Sequence, residues 1–299
     1  DLHSFPTRRS SDLEISSIGA GYDSNNTSNC GNIVIESGNI TANGGSCAAI
    51  GAGFSSSCGN ITINGGNITA TSTGASGIGC GNQMCKTCGN ITINGGTITA
   101  SGSRAGIGGG YQSNCGDITI TGGTINATGT SGSGIGAGTD KSGTWGYCGN
   151  ITISGGTVTA SSTYAVGIGG GNQAVCGDIL ISGGTITATG GTNQVAIGSS
   201  KVYGICGTVT ITNDVTSLTA IKKSGTPRCI GSSDNTSTIG TITIGGTEYP
   251  SGVDGNVDDV TFVYPFQDPE LTTGNVTDYQ TAGTGHVTLT NAGTGPVTE

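Results

Sequence analysis

The chain has 299 residues, of which 60 are glycine and 47 threonine, against 32% hydrophobic, 9% charged and 4% aromatic residues. Ordinary globular domains hold about 45–50% apolar and about 25% charged residues, so a large mixed core and a charge-rich helical surface are both excluded. A net charge of −9 lacks the basic footprint that phosphate backbones require, and no stretch approaches the roughly 18 apolar residues of a membrane span, so neither nucleic acid nor a transmembrane segment is expected.

Asp1 to Leu13 share nothing with the rest of the chain, and Ser4 to Leu13 resemble a translated sequencing-adapter read-through. Residues 1–13 are therefore read as a non-native leader; they also lack the apolar run of a secretory signal. Low charge and only 6 prolines argue that the remainder folds.

From residue 14 onward the sequence repeats. Cys-Gly-Asn-like blocks begin at Cys30, Cys58, Cys88, Cys115, Cys148, Cys176 and Cys206, in steps of 28, 30, 27, 33, 28 and 30 residues, a period that signals a stacked solenoid. Ile-Gly recurs at Ile18, Ile50, Ile78, Ile107, Ile135, Ile168, Ile197 and Ile230, and Gly-Gly precedes an alternating Thr/Ile segment at Gly65, Gly95, Gly122, Gly155 and Gly183. Within one unit, Ile91–Ile93 and Thr97–Ala100 alternate with period two, and Gly106–Gly108 is a third, glycine-rich segment. The predicted fold is an all-β, right-handed parallel β-helix over residues 14–212, with about eight three-stranded coils of 27–33 residues. Coils stacked about 4.8 Å apart make a rod on the order of 38 Å long. Residues 213–250 read as degenerate capping coils, and 251–299 as an irregular tail or the start of a further β domain.

The core is predicted as ladders. Ile33, Ile61, Ile91, Ile118, Ile151, Ile179 and Val209 form one column, and Ile40, Ile68, Ile98, Ile125, Val158, Ile186 and Leu218 another. Asn60, Asn90 and Asn150, with Asn32, Asp117 and Asp178 at equivalent positions, suggest an amide ladder at a corner. The seven repeat cysteines are expected to stack as reduced, buried thiols. In-register neighbours also fall within disulfide reach, but parallel side-chain vectors make that geometry poor. Strict alternation leaves one conflict: Cys88 shares parity with Asn90 and Thr92 rather than with Ile91, so it faces inward only if Gly89 breaks the alternation.

Candidate chemistry is sparse. Cys80, Cys85 and Cys88 contain a C-x-x-C without a visible fourth zinc ligand, and Asp254 to Asp259 lack EF-hand spacing, so no metal or other cofactor is expected. Between Ile15 and Thr212 the acids Asp23, Glu36, Asp117, Asp140 and Asp178 and the bases Lys86, Arg104, Lys141 and Lys201 are scattered, and His286 is the sole histidine outside the leader. Paired carboxylates and nucleophile–base arrangements are both unsupported, so no catalytic residue is assigned and no enzyme is expected. What repeats outward is threonine: Thr97/Thr99, Thr157/Thr159 and Thr185/Thr187, with Asn39/Thr41, Asn67/Thr69 and Thr124/Asn126. These columns are the candidate ligand-binding surface, although threonine also simply suits the outer face of a strand.

From Ile15 to about Tyr249, the Gly-Ile-Gly-x-Gly, Cys-Gly-Asn-Ile-Thr-Ile and Gly-Gly-Thr-Ile-Thr-Ala blocks resemble repetitive secreted or cell-surface β-helix proteins of anaerobic bacteria, some of them carbohydrate-binding domain-containing proteins. The resemblance implies export, extracellular or surface localisation, and a polysaccharide or host-glycan partner. The expected function is a non-catalytic surface scaffold or adhesin that binds glycans along a Thr/Asn face. Two alternatives stand beside it: an ice-binding protein using T-x-T arrays, and the non-catalytic part of a polysaccharide-degrading enzyme.

Overall fold

A computed structural model describes residues 18–21, 28–82, 85–139, 146–223, 225, 228–250, 252–254 and 261–264. All of its regular structure is strand, arranged in four sheets that run the length of a parallel solenoid. An Ile-Gly sheet of nine strands starts at Ile18–Gly19, an Ile-x-Ile sheet of nine at Ile33–Ile35, and a Thr sheet of eight at Asn39–Gly44. Eight of the Ile-Gly strands run parallel, from Ile18–Gly19 to Arg228–Ser232, and so bound seven full turns.

Equivalent residues stack in strict register. Ile98 lies between Ile68 and Ile125, and Ile118 between Ile91 and Ile151. Period-two alternation sends both isoleucines of each Ile-x-Ile strand inward, where Ile61, Ile63, Ile91 and Ile93 are fully buried. The Ile98 column does the same on the Thr sheet, followed by an alanine column at Ala70, Ala100, Ala127, Ala160 and Ala188. No single coil encloses a core, so the columns supply it jointly and stability accumulates between neighbours.

The structure corrects the three-strand coil. A fourth short strand, such as Ser113–Cys115 or Ala174–Cys176, precedes six of the corners, and these six form a fourth sheet; at Cys30 and Cys58 isolated bridges take its place. The corner also resolves the parity conflict. The amide of Gly89 donates to both Cys58 O and Gly59 O, each at 3.1 Å, and this turn resets the alternation so that Cys88 is buried with the isoleucines.

The Asn/Asp column differs from the expected amide ladder in its partners. Asn60 Oδ1 accepts from the backbone N–H of Asn90, Asn90 Oδ1 from that of Asp117, and Asp117 Oδ1 from that of Asn150, at 2.8–2.9 Å. Only one oxygen per side chain is needed, so a carboxylate serves as well as an amide. The glycine between Cys and Asn is explained by the same bond. A Cβ on Gly116 would collide with Asn90 Oδ1, which occupies the space beside it.

At the far end the chain reverses. Thr247–Glu248, Val253–Asp254 and Thr261–Tyr264 pair antiparallel with Ile242–Ile244, Arg228–Ser232 and Ser217–Ile221, so three of the four sheets end on a strand of opposite direction. Such a reversal stops further parallel stacking on those edges.

Candidate functional site

The Thr sheet presents one face outward. Along each strand Ile98-like and Ala100-like positions are buried, while positions 97 and 99 and their column mates face out. One outward column runs Asn39, Asn67, Thr97, Thr124, Thr157, Thr185; the next runs Thr41, Thr69, Thr99, Asn126, Thr159, Thr187. Thr97, Thr99, Thr157 and Thr159 are exposed, whereas Thr185 and Thr187 are half-buried. The lattice is set by backbone geometry: about 4.8 Å between coils and about 6.6 Å between alternate residues on one strand. These outward columns consist of hydroxyls, amides and methyl groups without charge or aromatic rings.

On the other side of the coil, Cys58, Cys88, Cys115, Cys148, Cys176 and Cys206 form a buried column, capped by half-buried Cys30. No disulfide joins any two of the ten cysteines whose side chains are described. Cys58, Cys148, Cys176 and Cys206 direct Sγ at the glycine carbonyl of the preceding corner, at 3.7–4.0 Å. Fully buried Cys80 adds a further thiol beside Cys88 and Cys115. Contacts with neighbouring thiols, and then burial, hold the Cys88 and Cys115 thiols well above their ordinary range. Protonated and enclosed, these two thiols are poor nucleophiles and poor metal ligands, whereas hydrogen bonds from Cys30 and Cys88 pull the Cys58 thiol down to about 5. Among the described residues no group of three His, Cys, Asp or Glu side chains is placed to hold a metal ion; the Cys85 side chain and Gly255 to Asp259 lie outside them. Denaturation without reductant should expose eleven groups to a thiol reagent, with few reacting beforehand. A deficit of two or four would instead reveal disulfides.

Among the described residues the carboxylates of the repeats do not converge. Asp117 and Asp178 stand two coils apart with Asn150 between them, roughly 10 Å by the stacking distance. Their Oδ1 atoms accept the Asn150 and Thr208 amides. Sequence reasoning missed one contact between loops: the Arg104 guanidinium lies 4.8 Å over the Tyr111 ring and donates to Ser131 and Thr139 hydroxyls. Seven residues separate the two in sequence without any periodic pattern to connect them, because the chain folds back around the Ile107–Gly108 strand between them.

Six segments of the chain match the family model described as Beta helix repeat: residues 33–54, 61–82, 91–111, 118–139, 151–172 and 179–201. Each begins at an Ile-x-Ile strand and ends just past the Ile-Gly strand, in phase with the coils seen in the structure. The chain is a parallel beta-helix repeat protein. Neither curated proteins nor solved structures gave a match. In this beta-helix repeat protein, the segments between the matched windows hold the fourth strand and the Cys-Gly-Asn corner.

Proposed function

We propose that this beta-helix repeat protein is a non-catalytic scaffold, displayed outside the cell, that binds a repeating glycan along its Thr/Asn face. The observation that carries this reading is the in-register pair of outward columns on the Thr sheet. A polymer with its own repeat meets the same hydroxyl and amide donors at every coil, and linked weak contacts raise avidity without a single strong site. Asp117 and Asp178, two coils apart and each engaged with a backbone amide, favour a binding role over a hydrolytic one.

The test is a glycan array probed with the wild type and with a variant carrying Thr97→Val, Thr99→Val, Thr157→Val and Thr159→Val. Valine keeps shape and β propensity while deleting the hydroxyls. The fold should survive, and retention should fall by at least about tenfold if each lost hydrogen bond contributes about 0.5–1.5 kcal/mol. Unchanged retention by a folded variant contradicts the proposal. The regular lattice of threonine methyls and hydroxyls also favours a second reading, ice binding. Thermal hysteresis in the wild type that vanishes in this variant would move the assignment there.

A further inference from the structure

Across residues 30–212 the chain separates its chemistry in space. The six aromatic and four basic residues of this region all fall between the end of a Thr strand and the next repeat cysteine, in the segments that flank the Ile-Gly strand. Those segments are also where coil length varies: eight residues separate Ile107 from Cys115, but thirteen separate Ile135 from Cys148. Lys141 and Trp145 belong to this longer segment by sequence and lie outside the described residues.

The two flanking segments fold together over the strand between them. Asn82 Nδ2 donates to Gly74 O at 2.7 Å across Ile78–Gly79, and the Lys201 amide to Gln194 Oε1 at 2.9 Å across Ile197–Ser199. Successive coils are joined there by Gln112 N to Thr139 O, Tyr164 N to Thr130 O, and Gln173 N to Val202 O. On the described coils these bonds link the flanking segments into a ridge beside the Ile-Gly sheet.

Arg104 holds a charge on this ridge that no described carboxylate meets. Its partners among the described residues are two hydroxyls and a ring, none of them a carboxylate. Its Nε is buried without a partner. Further along, Tyr164 and Tyr203 are 59% and 55% exposed, far above what a ring seeking burial would accept. Tyr203 and its neighbour Val202 both adopt left-handed backbone, with φ of 60° and 62°. Such residues cost on the order of 1–3 kcal/mol each and persist only when neighbours impose them. Here the Val202 amide donates to Asp234 Oδ2 and the Tyr203 amide to Thr236 Oγ1. Burial works to raise the Asp234 carboxyl, but donors from Ser237, Val202 and Thr236 outweigh it and hold it at about 2. The turn is thus fixed with its apolar side chains facing solvent, which removes ordering cost from any later contact.

We propose that this ridge is a second binding surface, separate from the Thr face, for a carboxylate- or sulfate-bearing polysaccharide. Arg104, without a carboxylate partner among the described residues, provides a cation for an anionic substituent, and the exposed tyrosines cover the apolar faces of sugar rings. Polymer length matters because each coil advances the ridge by about 4.8 Å, so one chain spans several coils.

Affinity electrophoresis of the full chain through gels containing polygalacturonate, dextran sulfate, neutral xylan or single-stranded DNA tests this. At least one acidic polysaccharide should retard the wild type, and which one does so separates carboxylate from sulfate recognition. Arg104→Gln should weaken that retardation by at least about tenfold, and Arg104→Lys by less, since a charge-assisted contact contributes about 1.5–3 kcal/mol. Tyr164→Ala with Tyr203→Ala should weaken it too, and because both rings are exposed this variant keeps its fold. The four Thr→Val changes should leave the retardation intact, so this surface and the Thr face fail or succeed independently. Absence of retardation by both acidic polysaccharides, equal retardation by DNA, or a folded Arg104→Gln protein that behaves as wild type would overturn the assignment.

Discussion

Ile98→Asp is expected to abolish the β circular dichroism of several coils. Ile98 is buried between Ile68 and Ile125, with Ala100 two residues on, and its column offers aliphatic side chains alone. A carboxylate placed there finds no donor to compensate its lost hydration, and an unpaired buried charge belongs with the substitutions that exceed about 4 kcal/mol. The damage spreads because every coil depends on its neighbours for burial. Thr99→Asp provides the control one position along: the same charge on the outward face should change stability by no more than about 0.5 kcal/mol. Thermal unfolding followed by circular dichroism checks both. An Ile98→Asp protein with full β signal would overturn the ladder packing.

Gly108→Val should be nearly as damaging, for a reason in the backbone rather than in the core. Gly108 sits at φ +127°, and a Cβ built there would collide with the carbonyl oxygen of Gly136 in the next coil. No rotamer relieves this contact, since the added atom is Cβ itself and its neighbour is main chain. The dihedral alone costs on the order of 1–3 kcal/mol, and forcing the two strands apart adds the loss of their pairing. The same constraint holds at Gly79 and Gly136, which is why Ile-Gly recurs so regularly. Gly21→Ala is the matched control, because a Cβ at Gly21 meets open space. Equal melting temperatures for the two variants would contradict the close-approach argument.

The features legible in the sequence are those that repeat with a period. Ile61, Ile91 and Ile118 are recognisable as one column because the same strand returns every coil with the same alternation. The inward direction of Cys88 was expected from the repeat but not from alternation, since it depends on the turn at Gly89 that ends one run of alternation and starts another. The Asn90 column was visible as a column, and solvent or backbone N–H groups were the partners expected for its carboxylates, but the bonding of its amides to the backbone was not visible. The exchange of Asn for Asp at Asp117 held the clue, because only an acceptor oxygen is common to both. Contacts between irregular segments left no periodic trace at all. Arg104 appeared as one of several scattered bases, and its approach to Tyr111 required a loop path that composition does not encode.

Binding by the Thr face is the central functional claim, and methyl NMR on protein labelled at threonine tests it most directly. Spectra would be recorded while a glycan retained by the wild type is added. The account predicts shifts concentrated at Thr97, Thr99, Thr124, Thr157 and Thr159, whose columns face outward on one sheet. Shifts should be absent at Thr62, Thr92 and Thr152, which stand on the separate Ile-x-Ile sheet. Perturbation spread equally over both sheets, or confined to the Ile-x-Ile sheet, would contradict it.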